Sequence, residues 1–183
     1  MVELDVPLFG QPMFYYCVPT CIKMVLEYVR KKHGKKIPRL SIKTIARVVK
    51  TTIDGTAPKD VENMNDYLSK VVPSVEFKTE FLSRFPEVRK ELEDKENPVI
   101  AWINCVEPPD MVWHAVVVTG FDPRTNTVFF NDPDGSIEKK EDVGKFIKKW
   151  GVQARLVKVL IGRKQQRHIN EWTARAKKGE VGE

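Results

Sequence analysis

GQPMFYYCVPTCIKMVLEYV, residues 10–29, decides how the whole chain is read. Within it Val18, Cys21, Ile22, Val25, Leu26 and Val29 recur in steps of three and four, which predicts a helix over 17–32 with one buried stripe. KKHGKK closes that helix, with basic residues against the C-terminal dipole and Gly34 as the stop. Cys17 then falls in the first turn, where unpaired backbone N–H groups and the helix dipole favour an anion, so a thiolate is stabilised there. Cys21 lies one turn deeper on the same face and reads as a small core residue.

Outward from this helix the sequence has two textures. SIKTIARVVK, opened by Ser41 as a cap, APKDVENMNDYLSKV, opened near Pro58, and FPEVRKELEDKEN read as helices, with TTIDGT as a turn between the first two. After Asn97 come PVIAWINCV, WHAVVVTGF, NTVFFND and ARLVKVLIG, short runs rich in β-branched and aromatic residues and bounded by turn formers; these read as strands. SIEKKEDVGKFIKKW is expected to insert one more helix before the last strand. Helices first and strands afterwards predict an α+β fold, with N-terminal helices packed on a C-terminal, mainly antiparallel sheet. The domain is expected to span 1–162, and the polar, basic segment 163–183 to form a helical or frayed tail.

Composition narrows the function classes. With 183 residues, 42% of them hydrophobic and 31% charged, the chain can bury one real core. A net charge of +6, with both signs mixed along the sequence, is not the footprint of a nucleic-acid-binding protein. No run is long and apolar enough for a membrane span, MVELDVPLFG is not a signal peptide, and three cysteines make no disulfide framework. The expectation is a cytoplasmic protein with free thiols. TGFDPRT lacks the glycine spacing and lysine of a phosphate cradle, and no cofactor is expected. In the tail, Arg163, Lys164, Arg167, Arg175, Lys177 and Lys178 surround Trp172; this is either a solvated end or a docking segment for a partner.

A cysteine nucleophile needs a base, and only His33, His114 and His168 are available. His33 lies in the lysine-rich helix end and His168 in the tail, whereas His114 opens the strand WHAVVV, at the edge of a packed sheet. The base in turn needs an orienting carboxylate. WHAVVVTGF and NTVFFNDPDG are joined by DPRTN, an antiparallel hairpin signature. With its tip near Arg124, paired positions sum to about 248, and any even sum puts His114 and Asp132 on one face. Asp134 has the same parity, but it follows Pro133 in a turn sequence.

Gln11 six positions before Cys17, the helix CVPTCIKMVLEY, then HAVVVTGFD, then NDPDG, together resemble the papain-like cysteine peptidases of the bacteriocin-processing, double-glycine leader peptidase type. The resemblance covers roughly residues 8–160 and includes the turn into the third helix at TTIDGTAPKDVENMNDYL. It implies Cys17 as nucleophile, His114 as base and later acid, Asp132 as the orienting carboxylate, and Gln11 as a side-chain donor to the oxyanion beside the Cys17 N–H. It implies a peptide or protein substrate. Where family members commonly carry glycine after the nucleophile, this chain has Val18-Pro19, which narrows the approach to the sulfur. No transporter or ATP-binding segment lies within these 183 residues, so the leader-peptide substrate is not carried over.

Two other readings stay open at the level of sequence. Cys17, Cys21, Cys105 and His114 could form a tetrahedral Zn site. The same cleft could also hold a peptide in a catalytically inactive binding module.

Overall fold

The computed structural model describes residues 1–34, 36–106, 112–151 and 156–161. Helix α1 runs Cys17–His33 and ends where Gly34 turns left-handed at φ 55°. Helix α2, Ile42–Val48, is opened by Ser41, whose hydroxyl accepts the Thr44 N–H at 3.1 Å. The third helical segment begins as a 3-10 turn at Pro58–Glu62 and continues as α3, Asn63–Val71. Helix α4 spans Phe85–Lys95, with the Glu87 carboxylate accepting from the Arg84 N–H.

Strands β1 (Val2–Glu3), β2 (Val75–Glu80), β3 (Val99–Asn104), β4 (Trp113–Asp122), β5 (Thr127–Asp132), β6 (Ile137–Asp142) and β7 (Leu156–Ile161) form one sheet in the order β2-β7-β3-β4-β5-β6. All the strand pairs are antiparallel, and β1 joins β4 beyond the end of β3. The α+β architecture, with N-terminal helices on an antiparallel sheet, is as the sequence predicts. The sheet divides the interior in two. Ile22, Val25 and Val29 of α1, with Met64 and Leu68 of α3, pack on Ile100, Val117 and Val159; Val88 and Leu92 of α4, with Phe146 and Trp150, pack on Ala101, Val116 and Phe130 from the other side.

SIEKKEDVGKFIKKW departs from its expected single helix. Its first half is edge strand β6 and only its second half is helix α5, Val143–Trp150. The division falls at Asp142, whose carboxylate accepts the Lys145 N–H at 3.1 Å and so starts a helix in mid-segment. Ahead of that cap, Ile137–Asp142 pairs along the whole length of β5. Strands β1 and β2 are also additions to the sequence reading. The tail 163–183 lies outside the described residues.

The β4–β5 hairpin carries the feature that sets the geometry of the candidate site. Next to the tip, Asp122↔Thr127, Phe121↔Val128 and Gly120↔Phe129 are partners, an odd sum; past an irregularity at Thr119 the partners become Val118↔Phe130 and Val117↔Asn131, an even sum. The single register of about 248 expected from the sequence therefore holds only beyond this bulge. Strand β1 accompanies it: Leu4 N–H donates to the Thr119 carbonyl at 2.8 Å, and Glu3 pairs with Gly120.

Candidate active site

Cys17 is the first residue of α1, and Tyr16 before it supplies no side-chain cap. Its N–H and that of Val18 belong to the first turn and have no partner within the helix, Pro19 has none to offer, and the first ladder bond is Thr20 N–H to the Tyr16 carbonyl at 3.1 Å. The sulfur is buried, with Cys17 only 7% exposed. One turn on, the Cys21 thiol is fully buried and donates to the Ala115 carbonyl at 3.3 Å, which fixes the start of α1 over the start of β4. Burial pushes the Cys21 thiol well up, and nearby Cys17 and Asp132 add to that. Cys21 is core, in keeping with its place in the helix stripe.

His114 sits beside Ala115 on β4. Because the register past Thr119 is even, His114 and Asp132 share a face, one step diagonal to each other across β4 and β5. His114 Nε2 and Asp132 Oδ1 are 2.6 Å apart. Cys17 is close enough to the same ring to raise its pKa. Burial alone would lower the His114 pKa, but the hydrogen bond to Asp132 and the nearby Cys17 outweigh it and hold the imidazolium up to about 9. For Asp132, burial is again the opposing influence, and hydrogen bonds from His114 and Lys139 bring its carboxyl down to about 2. The dyad is thus an ion pair across the neutral range.

Asp132 takes two further donors. The Asp134 N–H reaches Oδ1 at 2.9 Å, so Asp134 serves by its backbone and Asp132 is the carboxylate at the ring. The Lys139 ammonium reaches Oδ2 at 2.7 Å. Lys139 was invisible as a site residue in the sequence, because its strand reads there as helix; the Ile-Glu-Lys-Lys alternation of a charged edge strand is the signal that could have found it.

Gln11 is tied to the same corner. Its backbone N–H donates to the Pro133 carbonyl at 2.9 Å, directly after Asp132. Its side-chain Nε2 donates to the Phe14 carbonyl at 3.2 Å, and its Oε1 is buried with no hydrogen-bond partner. The amide is therefore next to the dyad but engaged with its own loop.

Beside Cys17 opens a cleft of about 560 Å³, walled by Cys17 and Val18, by Trp102 and Trp113, and by Phe81 and the Thr52–Asp60 loop. The loop is closed on itself by the Thr52 and Gly55 bridge. Val18 is buried and lines this cleft directly beside the sulfur. Cys105 is exposed just after β3, and His33 ends α1; His168 lies outside the described residues. Among the described residues no group of three or more His, Cys, Asp or Glu side chains is arranged to hold a metal ion. Likewise no described helix is long and apolar enough to cross a membrane.

A helix N-terminus carrying a thiol, set against an imidazole and a carboxylate on neighbouring antiparallel strands, is the layout of papain-like cysteine-peptidase domains. A profile of the Peptidase C39 like family matches residues 3–157, and the chain belongs to that family. Among solved structures it is similar to the peptidase domain of Streptococcus ComA, described as a bi-functional ABC transporter involved in a quorum sensing pathway. That match has a TM-score of 0.63 and 19% identity, covering 86% of this chain and all of that domain. Another is the N-terminal peptidase C39 like domain of the toxin secretion ATP-binding protein from Vibrio parahaemolyticus, with a TM-score of 0.47 and 9% identity over 75% of this chain and 93% of that one. No protein of curated function matches the chain significantly.

Proposed function

We propose that this chain is a cysteine peptidase that opens a peptide or amide bond through a thioester on Cys17. The observation that carries the reading is His114, whose ring is hydrogen-bonded to Asp132 and whose pKa is raised by Cys17 at the first turn of α1. In the proposed cycle the Cys17 proton passes to His114 and the sulfur attacks the substrate carbonyl carbon; His114 then gives that proton to the departing amine as the C–N bond breaks. Water then attacks the thioester while His114 takes its proton, and Cys17 leaves with that proton returned. The carbonyl oxygen, negative in both tetrahedral intermediates, is met by the Cys17 N–H and by the Gln11 amide. For that, Gln11 Nε2 must leave the Phe14 carbonyl, an exchange that would also release its orphaned buried Oε1.

The substrate lies along the cleft beside Val18, Trp102 and Trp113. The test is selective labelling. A limiting alkylating agent near neutral pH should modify Cys17, spare buried Cys21, and lag at Cys105, which is exposed as a residue but whose thiol is pushed up by partial desolvation and by the Asp132 charge. His114→Ala should slow the Cys17 reaction by tenfold or more. Equal, slow labelling of Cys17 and Cys105 in the native protein would instead identify a binding module built on a peptidase fold.

A further inference from the structure

Asp132 is 4% exposed, and both of its carboxylate oxygens are hydrogen-bonded. Oδ1 accepts from His114 Nε2 at 2.6 Å and from the Asp134 N–H at 2.9 Å, and Oδ2 accepts from Lys139 Nζ at 2.7 Å. The third contact is built by the sheet. On β5 and β6, Asp132 faces Ile137 and Phe130 faces Lys139, so Lys139 is one diagonal step from Asp132 on its own face. His114 stands in the same diagonal relation on β4. The three side chains form a row across β4, β5 and β6.

We propose that Lys139 is a positioning residue of the peptidase site, holding Asp132 ionised and in one rotamer while the proton on His114 comes and goes. The inference rests on the reading of His114 and Asp132 given under Proposed function. Charge is the reason. When His114 is an imidazolium, it balances the buried carboxylate by itself. Once His114 has passed its proton on, that carboxylate would be left in a dry site without a countercharge, which is costly. An aspartate alone would therefore make the ring cling to its proton and act as a poor acid. Lys139 supplies a cation that does not take part in the proton transfer, so the neutral imidazole becomes accessible. It also occupies Oδ2, which keeps Oδ1 aimed at the ring.

The other charged or titratable groups near Asp132 do not replace this contact. Cys17 of α1 and Cys105 after β3 are thiols, and Asp134 in the turn after β5 adds negative charge beside Lys139. Lys149 of α5 acts on Cys105, and its ammonium is bonded to Glu141 at 2.6 Å. Among the described residues Lys139 and His114 are the cations that touch Asp132. The Lys139 side chain is 45% exposed, so solvent weakens its reach, and its influence on the ring is expected to be about half a unit to one unit of pH.

The experiment is an NMR titration of the imidazole signals in the full chain, with His114 assigned by the signal lost in His114→Gln. Native His114 should titrate near 9. In Lys139→Gln, which keeps a neutral donor of similar length, the midpoint should rise by about 0.5 to 1 unit, and Lys139→Arg should restore it. Lys149→Gln removes an equal charge nearby that does not touch Asp132, and should leave the midpoint in place. A Lys139→Gln midpoint equal to the native one, or a Lys149→Gln shift as large as that of Lys139→Gln, overturns the proposal. Thermal melts of each variant check folding, and Lys139→Arg keeps the comparison readable if the Gln variant is damaged. Cys17 labelling, read separately on the native protein, reports whether the peptidase reading holds, so the two failures are distinguishable.

Discussion

His114 Nε2 and Asp132 Oδ1 meet at 2.6 Å although the strands that carry them change register between the hairpin tip and the site. Three residues nearer the turn the pairing is odd, and had it continued, His114 would share its face with Asn131 instead. Thr119 is the extra residue that converts one parity to the other. Asn131, on the opposite face, ties the sheet to the N-terminal segment, its side chain donating to the Val6 carbonyl at 3.0 Å.

The first prediction concerns stability against pH. A raised His114 pKa contributes stability that is fully present below about 6.5 and is lost as pH climbs through about 9. A lowered Asp132 pKa contributes stability present above about 3.8 and lost as pH falls through about 2. Their joint contribution is therefore greatest between roughly pH 4 and 6.5. Melting temperature followed across pH should decline on the alkaline side by the equivalent of roughly 1–3 kcal/mol, and Asp132→Asn should flatten much of that limb. An unchanged alkaline limb in Asp132→Asn would mean the pair is not coupled.

A second prediction concerns Gly120. A Cβ built there would lie 2.6 Å from the Val2 carbonyl oxygen and 3.0 Å from Glu3 Cα, both backbone atoms that cannot swing aside. Gly120→Ala should detach β1 from β4, costing about 1–3 kcal/mol. Amide exchange at Leu4, whose N–H is bonded to Thr119, should then speed up. Wild-type melting and wild-type protection at Leu4 would refute the close approach.

The third prediction separates the two helix thiols. Cys21→Ala should cost about 1–2 kcal/mol, from the small void and the lost bond to Ala115. The alkylation rate of Cys17 should stay within about twofold of native. A tenfold loss of that rate would show that the Cys21 contact, and not the first turn itself, sets up the sulfur.

Val18 gives the fourth. It directly follows Cys17 and is a wall of the cleft beside the sulfur. Val18→Ala should lower stability by about 1–2 kcal/mol because the side chain is also core. It should raise Cys17 labelling by a bulky reagent relative to a small one several-fold. An unchanged ratio would mean that the approach is limited elsewhere, with the two tryptophans the next candidates.

Much of the fold was legible in local sequence because local physics decides it. The stripe of α1, the Gly34 stop and the Ser41 cap are matters of period and backbone hydrogen bonding within a few residues. The pairing of His114 with Asp132 was legible only as a parity, since a hairpin tip sets register but cannot announce a bulge farther along the strands. Strand β6 was misread because IEKKED and VGKFIKKW are both rich in lysine, and only the cap at Asp142 divides them. Lys139 was lost with it, since a residue assigned to a helix cannot be placed diagonally from a strand aspartate. Gln11 was singled out by resemblance; nothing in its composition or spacing shows that its N–H would reach Pro133.

Strand β6 has a further consequence. It ends the sheet, and five of its six residues, Glu138, Lys139, Lys140, Glu141 and Asp142, are charged. Its outer row of N–H and C=O groups is a template for another chain, and charge on such an edge is what keeps that template unused. Lys139 therefore stands at a border between two constraints, one from the interior of the site and one from the crowd of other molecules outside. Exchanging it for an apolar residue beside exposed Ile137 would place greasy surface on an open edge, and the first symptom would be concentration-dependent clumping.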